Sequence, residues 1–293
     1  MDLTNRRWVD RAALDCACPE RLAGLALTGF HVAGSLAGLS APTVAIVGTR
    51  APSDGGRALA RRLGQELGAA GVCVISGLAL GIDAAAHEGA LAVGARTIGV
   101  LGGGHDHFFP PRNRELAARM VTAGGAVVSP YAPDEPARPY QFLARNGIVA
   151  ALADVVVVVE AAARSGALNT ASWAADRGVP VLAVPGDVDR PKVAGCLALI
   201  RDGATLARSS ADVFEALGIA APARADVGPP DGPPDSPDVC AILAALTEGE
   251  CDLETLVGTL GRTPGSLARV LLELEVSGRV VCRANGYALT GPL

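Results

Sequence analysis

The chain has 293 residues, half of them hydrophobic and 19% charged, a globular composition with room for about two domains. No stretch offers the ~20 uncharged apolar residues of a membrane-spanning helix, and the apolar run 150–159 is broken by Asp154. The Arg-containing start, residues 1–15, is followed by no apolar run, so we expect a cytoplasmic protein. The net charge of −5, with 16 basic and 16 acidic side chains in residues 43–217, excludes the strongly basic surface of an ordinary nucleic-acid binder.

The residues that commonly bind metals are too scattered to predict a metal site. The seven cysteines form no Cys-x-x-Cys pair, so neither a disulfide framework nor a zinc site is expected. The sequence His105-Asp106-His107 is compact but lacks further ligands at a recognisable spacing. Asp83 and His87 lie one turn apart on a predicted helix, where a helix-start carboxylate and a surface histidine are expected. We therefore predict no metal and no cofactor.

The main part of the chain alternates strand and helix patterns. Residues 1–42, rich in Ala, Leu and Gly, are predicted to form a short helical leader, and residues 43–217 form the main domain. Strands are predicted at 44–47, 72–75, 97–101, 126–129, 155–159 and 181–184, and helices at 56–70, 83–93, 112–123 and 167–177. Because apolar strands alternating with helices form parallel sheets covered on both faces, we predict an α/β fold with a Rossmann-like, doubly wound, mostly parallel sheet.

A second, smaller domain is predicted at the end of the chain. Residues 218–235 are rich in proline and are predicted to be a semi-extended linker. In residues 236–293, helical patterns precede a hairpin around Asn285-Gly286, which is winged-helix architecture. The predicted helices are 239–246, 253–260 and 265–276, and the hairpin strands are 279–283 and 287–290. The third helix offers Arg269 against two glutamates, so we expect a protein-contact or structural module rather than a reader of duplex DNA.

Candidate binding residues cluster in the loops after the predicted strands, the edge at which parallel sheets bind ligands. These loops are 48–53, 76–83, 102–113 and 160–170. Glycine-rich turns that open helices present backbone N–H groups to phosphate, and Arg50 and Arg145 would add positive charge. Neither a dinucleotide fingerprint nor a Gly-x-x-x-x-Gly-Lys-Ser/Thr motif is present, which argues against NAD and Walker-type ATP binding.

Evidence for catalysis is weak. Ser165 has no adjacent base and does not match the Gly-x-Ser-x-Gly elbow of hydrolases. Glu160, at a strand end, is either a general base or a structural carboxylate that accepts hydrogen bonds from loop N–H groups. No catalytic residue is predicted.

Seven motifs, taken in order, resemble those of the DNA-processing protein A (DprA/Smf) family. They are VAIVGTR at 44–50, SGLALGIDAAAH at 76–87, TIGVLG at 97–102, PPRN at 110–113, FLARN at 142–146, VE at 159–160 with SGAL at 165–168, and AVPG at 183–186. The resemblance covers about residues 42–217. The sequence LLELEVSGRV at 271–280 is similar to the C-terminal winged helix of that family.

This resemblance implies a protein that binds single-stranded DNA and is not an enzyme. Family members protect incoming DNA in natural transformation, form a homodimer through the Rossmann-like domain and load the RecA recombinase. By position, Arg50, the loop at 76–77, Arg145 and Asn146 would contact phosphates. The loop at 165–166 would supply backbone donors, and Phe142 would stack on a base. Arg138 is a further candidate close to these residues, chosen from this sequence rather than from the resemblance. The candidate site residues are Arg50, Ser53, Ser76, Gly77, Arg112, Asn113, Arg138, Phe142, Arg145, Asn146, Ser165 and Gly166.

The chain departs from the family pattern at three places. Gly147 stands where the family usually has the second arginine of Arg-Asn-Arg. The sequence Gly195-Cys196-Leu197 stands where the family usually has Gly-Thr-Asn. Ser129-Pro130 replaces a usual Ser-Glu. Fewer phosphate contacts predict weaker DNA binding with a shallower salt dependence, about −0.7 per phosphate on a single strand.

Two other functions remain open on the sequence alone. One is a nucleotide-processing enzyme that resembles the LOG-type phosphoribohydrolases, although the Pro-Gly-Gly-x-Gly-Thr-x-x-Glu motif of that family does not occur between Glu160 and Thr170. The other is a degenerate scaffold that binds only protein partners, which the missing cation and the neutral main domain would suit.

Overall fold

The computed structural model describes residues 3–17, 21–221, 237–247, 249–276, 279–283 and 286–289. The chain forms two compact units, Met1–Ala223 and Arg224–Leu293. Most of the predicted linker falls on residues 222–236, which lie outside the described residues. None of the described helices combines the length and apolar character needed to cross a membrane.

A nine-stranded, mostly parallel sheet forms the centre of the first unit. Its described strands are β1 (Arg6–Asp10), β2 (Gly29–Gly34), β3 (Thr43–Val47), β4 (Cys73–Ser76), β5 (Thr97–Val100), β6 (Ala126–Ser129), β7 (Val155–Val158), β8 (Val181–Ala183) and β9 (Thr205–Leu206). Their order in space is β1-β2-β6-β5-β4-β3-β7-β8-β9. All neighbouring pairs from β6 to β9 are parallel, whereas β2 is antiparallel to both β1 and β6.

Helices cover both faces of the sheet. They are α1 (Arg11–Ala17), α2 (Asp54–Ala69), α3 (Ile82–Ala92), α4 (Arg114–Thr122), α5 (Pro139–Leu152), α6 (Gly166–Asp176), α7 (Ala194–Arg201) and α8 (Ser210–Ala216). One apolar cluster joins α2, α3 and α8 to the sheet, and another joins α5, α6 and α7 to it. The predicted α/β fold is therefore confirmed.

The strands form where β-branched residues run without interruption. All four valines of β7 are fully buried, as are the five residues of β3 from Thr43 to Val47. A strand that is buried on both faces needs apolar residues at every position rather than at alternate ones, and this is the pattern of a parallel sheet. Burial of these side chains contributes about 25 cal/mol for each Å² of apolar surface removed from water.

The N-terminal segment differs from the prediction of a helical leader. Among its described residues, α1 and a short 3-10 helix, Leu36–Ser40, are helical, while β1 and β2 extend the sheet beside β6. Phe30 and Val32 of β2 are buried against the sheet core. Strand β2 satisfies the open backbone of β6 with ladder hydrogen bonds, which a helix packed there could not do.

Close packing of α2 against α3 depends on glycine. A Cβ atom at Gly64 would collide with the carbonyl of Ala86, and one at Gly89 would collide with the carbonyl of Arg61. Glycine is needed at both positions because the two backbones approach too closely to leave space for a side chain.

The second unit contains three helices and a hairpin within its described residues. They are α9 (Pro237–Thr247), α10 (Leu253–Leu260), α11 (Pro264–Val276), β10 (Val280–Arg283) and β11 (Gly286–Leu289), with β10 antiparallel to β11. This confirms the predicted winged-helix architecture; of the predicted turn, Asn285 lies outside the described residues. On α11, Arg269 faces Glu273 at 3.7 Å, so we keep the prediction that this helix does not read duplex DNA.

Candidate nucleic-acid interface

A cleft of about 270 Å³ opens at the carboxyl ends of β3, β4 and β7. Because β3 has β4 on one side and β7 on the other, the order of the strands reverses here. Doubly wound sheets bind their ligands at such a reversal. Seven of the twelve predicted site residues line this cleft, namely Arg50, Gly77, Phe142, Arg145, Asn146, Ser165 and Gly166.

The loop between β3 and α2 is held by a carboxylate of the chain itself. Glu160, just after β7, accepts hydrogen bonds from the Ser53 backbone N–H at 2.8 Å and from the Ser53 hydroxyl. The Ser53 hydroxyl in turn accepts a bond from Gly56 N–H and so caps α2. Glu160 is thus the structural carboxylate rather than a free base. The polar groups of Ser53 are bonded internally and Ser53 does not line the cleft, so its contact with DNA stays a prediction.

A second internal carboxylate occupies the loop between β4 and α3. Asp83, in the first turn of α3, accepts hydrogen bonds from Gly77 N–H at 3.0 Å and Ala79 N–H at 3.3 Å. Burial raises the pKa of Asp83, and the nearby Arg145 guanidinium opposes that shift. The carboxylate of the chain thus occupies the Gly77 amide, and the contact of this loop with a phosphate stays a prediction.

Two further predicted contacts stabilise the same loop from inside. The Ser76 hydroxyl is fully buried and donates to the carbonyl of Ile46 at 2.7 Å. The buried Asn113 side chain donates to the carbonyls of Leu78 at 2.9 Å and Ala79 at 3.0 Å. Both side chains hold the backbone in place, neither lines the cleft, and their contact with DNA stays a prediction.

Backbone strain is concentrated beside the cleft. Leu78 and Glu160 have left-handed φ angles of 55° and 49°. A non-glycine residue in this region costs on the order of 1–3 kcal/mol and persists only where its surroundings enforce it. Here Asn113 holds the carbonyl of Leu78, and the carbonyl of Glu160 accepts a bond from Thr49 N–H at 2.8 Å. The backbone conformations of the loop between β4 and α3 and of the loop after β7 are therefore fixed by internal hydrogen bonds without a ligand.

Arg145 is a buried cation on α5. It exposes 4% of its surface, and its Nη1 donates to the carbonyl of Val100 at 2.6 Å and to that of Gly77. Burial lowers the pKa of Arg145 to about 10, an effect that Asp83 partly offsets. Arg145 stays charged at neutral pH, and its Nη1 holds two backbone carbonyls while the residue still lines the cleft. Its contact with a phosphate stays a prediction.

Arg50 and Phe142 form the solvent-facing wall. Among the described charged residues that line the cleft (Arg50, Asp83 and Arg145), Arg50 is exposed and the other two are buried. The Arg50 guanidinium carbon lies 5.9 Å from the centre of the half-buried Phe142 ring, within the range of a cation–π contact. The structure thus brings together one free cation and one aromatic ring, as the sequence predicted for these two residues.

The third side of the cleft is the start of α6. Ser165 is the N-cap of this helix, and its hydroxyl accepts a bond from Ala167 N–H at 3.3 Å. Gly166 is exposed, and a Cβ atom built there would meet nothing within 4 Å. Asn146 donates to the carbonyl of Gly166 at 3.2 Å, which ties α5 to this turn. A helix start with open space in front of it favours an anion.

The remaining predicted contacts lie outside the cleft. Arg112 and Arg138 are both exposed but do not line it. The family cation missing at Gly147 has a structural reason, because a Cβ atom there would lie 3.1 Å from the Trp173 indole. A longer side chain at this position would have to displace Trp173.

His87 and His105 lie inside the protein. His87, predicted to be a surface residue, is instead fully buried, and its Nδ1 lies 2.7 Å from Thr97 Oγ1. Because the Thr97 hydroxyl donates to the carbonyl of Val74, the imidazole is the donor of this pair. His105 is also fully buried, with Nε2 3.1 Å from the carbonyl of Val127. Within the described part of the chain, no group of three or more His, Cys, Asp or Glu side chains is arranged to hold a metal ion.

Burial of His87 predicts a loss of stability in acid. Burial, assisted by the charge of Arg145, lowers its pKa from 6.5 to about 3, so the folded state keeps His87 neutral while the unfolded state takes up a proton below pH 6.5. We expect the free energy of unfolding to fall by about 2 kcal/mol from this group between pH 7 and pH 5. Urea titrations at each pH, followed by tryptophan fluorescence, measure this change. His87→Asn should remove the part of the pH dependence that comes from His87, whereas His107→Asn, at an exposed position, should keep it. An equal pH dependence in the wild type and both variants would contradict the role given to His87.

The comparisons with known proteins agree with this geometry. The family described as DNA recombination-mediator protein A matches residues 19–218, and the DprA winged helix domain matches residues 228–286. Protein Smf of Escherichia coli (strain K12) is 35% identical over 277 residues, which cover 92% of this chain and 74% of that protein. DNA processing protein A from Streptococcus pneumoniae is 37% identical in structure-based comparison, with a TM-score of 0.66 over 73% of this chain and 75% of that one. DNA processing protein A from Helicobacter pylori, whose structure concerns its single-stranded DNA binding mode, is 26% identical with a TM-score of 0.64 over 74% and 98% of the two chains.

An α/β unit with a cleft at the reversal of strand order, followed by a winged-helix unit, makes this a Rossmann-like protein, and the matched family models place it in the DNA-processing class. The chain belongs to the DNA recombination-mediator protein A family, also called DprA/Smf. The resemblance predicted from the seven motifs is thereby confirmed.

Proposed function

We propose that this protein binds single-stranded DNA in the cleft at the carboxyl ends of β3, β4 and β7. The observation that carries the proposal is the convergence of an exposed cation, a half-buried aromatic ring and an open helix start on one cleft. Arg50 and the start of α6 suit phosphates, and Phe142 suits a base. Sequence-tolerant binding of a single strand uses this combination of backbone charge and stacking.

The acidic charge of the whole chain does not oppose this proposal. Binding depends on the groups that line the cleft. A net charge of −5 therefore slows the approach of DNA from a distance but leaves the contacts within the cleft in place. The relative from Helicobacter pylori, whose structure concerns single-stranded DNA binding, supports the same ligand here.

The wider role that we propose follows the family. The protein would protect incoming single-stranded DNA in the cytoplasm during natural transformation, form a homodimer through its Rossmann-like unit and load the RecA recombinase. The second unit, whose third helix pairs Arg269 with Glu273, suits a contact with protein better than one with duplex DNA.

We propose further that the protein is not an enzyme. The two carboxylates beside the cleft, Asp83 and Glu160, accept hydrogen bonds from backbone N–H groups. A general base must lie within hydrogen-bond reach of the proton that it takes. Glu160 does not line the cleft, and Asp83 lines it but is buried. Incubation with nucleoside monophosphates should therefore release no free base, in contrast to a LOG-type phosphoribohydrolase.

Titration of a fluorescein-labelled oligo(dT) with the full chain, followed by anisotropy, tests the proposed ligand. We expect tighter binding to the single strand than to a duplex of equal length, with a log–log salt slope between about −0.7 and −2, equivalent to one to three phosphates. Absence of binding at low salt would contradict the proposal and leave the protein-binding scaffold as the alternative.

A further inference from the structure

Phe109 is an exposed aromatic residue next to the cleft. It exposes 49% of its surface, whereas the preceding residue, Phe108, exposes 6%. Its ring centre lies 5.8 Å from that of Phe142, and the two ring planes are inclined by 64°. In a chain that is only 3% aromatic, a half-exposed ring in contact with a binding-site ring is a candidate for ligand contact.

Phe142, in contrast, is crowded. A Cβ atom at Gly102 would lie 2.8 Å from its ring, and the guanidinium carbons of Arg50 and Arg145 lie 5.9 and 6.0 Å from its centre. Neighbouring groups thus occupy much of the surroundings of Phe142. The ring of Phe109 offers more open surface to an incoming base.

We propose that Phe109 is a second base-stacking residue and that the single strand leaves the cleft past Phe142 and crosses Phe109. This inference rests on the proposed function. Arg112, exposed on the short turn Pro111–Asn113, follows three residues later and supplies a cation on the same segment. The strand would thus meet a stacking ring followed by a phosphate contact, as in other single-strand sites.

The angle between the rings adds a preference for particular bases. A base stacked on Phe109 and another stacked on Phe142 lie parallel to their rings, so their planes differ by the same 64°. Neighbouring bases at that angle do not stack on each other. Strands that resist unstacking are therefore disfavoured, and pyrimidine runs are favoured over adenine runs.

The Phe109→Leu variant tests the proposal, with anisotropy measured on oligo(dT) and oligo(dA) of equal length. The wild-type chain should prefer oligo(dT), and Phe109→Leu should weaken that binding about 5- to 10-fold and narrow the preference. The salt slope should not change, because no cation is removed. Trp8→Leu, which alters a ring of similar exposure (46%) on the edge strand β1, is the matched control and should keep the wild-type affinity.

The outcomes separate the inference from the proposed function. Unchanged affinity of Phe109→Leu for oligo(dT), with wild-type binding intact, would overturn the role of Phe109 alone. An equal loss on an abasic oligonucleotide would also overturn it, because the ring would then contact the sugar-phosphate chain rather than a base. Failure of the wild-type chain to bind either oligonucleotide would overturn the proposed function itself.

Discussion

Changing Arg50 to Gln is expected to weaken binding to oligo(dT) about tenfold or more at low salt. Arg50 is the exposed cation among the described charged residues that line the cleft. Removing one phosphate contact should also make the log–log salt slope shallower by about 0.7. The difference between wild type and variant should therefore shrink as salt is raised, because ionic contacts are screened.

Two variants make this result specific. Arg57→Gln removes an exposed cation from α2 that does not line the cleft, and it should leave both affinity and slope close to those of the wild type. Arg145→Gln, in contrast, should weaken binding without the same change in slope, because the buried guanidinium faces carbonyls of the protein. If Arg50→Gln and Arg57→Gln behave alike, Arg50 does not contact the strand.

The second large effect is on stability. Arg145→Met is expected to lower the free energy of unfolding of the first unit by about 3–5 kcal/mol, since it leaves the buried Asp83 carboxylate without its nearby cation. The carbonyls of Gly77 and Val100 also lose their donor. Both tryptophans, Trp8 and Trp173, lie in this unit, so urea unfolding followed by tryptophan fluorescence reports its stability directly.

Arg57→Met is the matched control for the same measurement. As an exposed helix position, it should change stability by no more than about 0.5 kcal/mol. The double variant Asp83→Asn/Arg145→Met should recover part of the lost unfolding free energy, because it no longer leaves a buried carboxylate without its cation. A loss for Arg145→Met as small as that for Arg57→Met would show that the guanidinium does not stabilise the loop.

Much of the fold could be predicted because its signals are local. The valines of β7 and the apolar residues of β3 indicate buried parallel strands by themselves. The strands β1 and β2 were missed because each is short and flanked by an Ala- and Leu-rich sequence that suggested helix. Their formation depends on a distant partner, the open side of β6, which only the assembled sheet reveals.

The site was predicted less completely, for a physical reason. The sequence shows which loops are rich in glycine but does not show which amide groups remain free after folding. Glu160 accepts the Ser53 amide and Asp83 accepts the Gly77 amide, while the side chains of Ser76 and Asn113 donate to carbonyls of the chain. Burial of Arg145 was equally hidden, because an arginine near a binding motif has the same sequence signature whether it faces solvent or the core.

The folded-back carboxylates also affect which ligands can compete for the protein. In the loops after β3 and β4, the carboxylates of Glu160 and Asp83 accept backbone amides, so a small free anion such as a nucleotide cannot bind those amides. The groups that remain open are Arg50, Phe142 and the start of α6, and each offers one weak contact. Discrimination then comes from length, since only a polymer can engage several such contacts at once, and the abundant mononucleotides of a cell gain little from any single one.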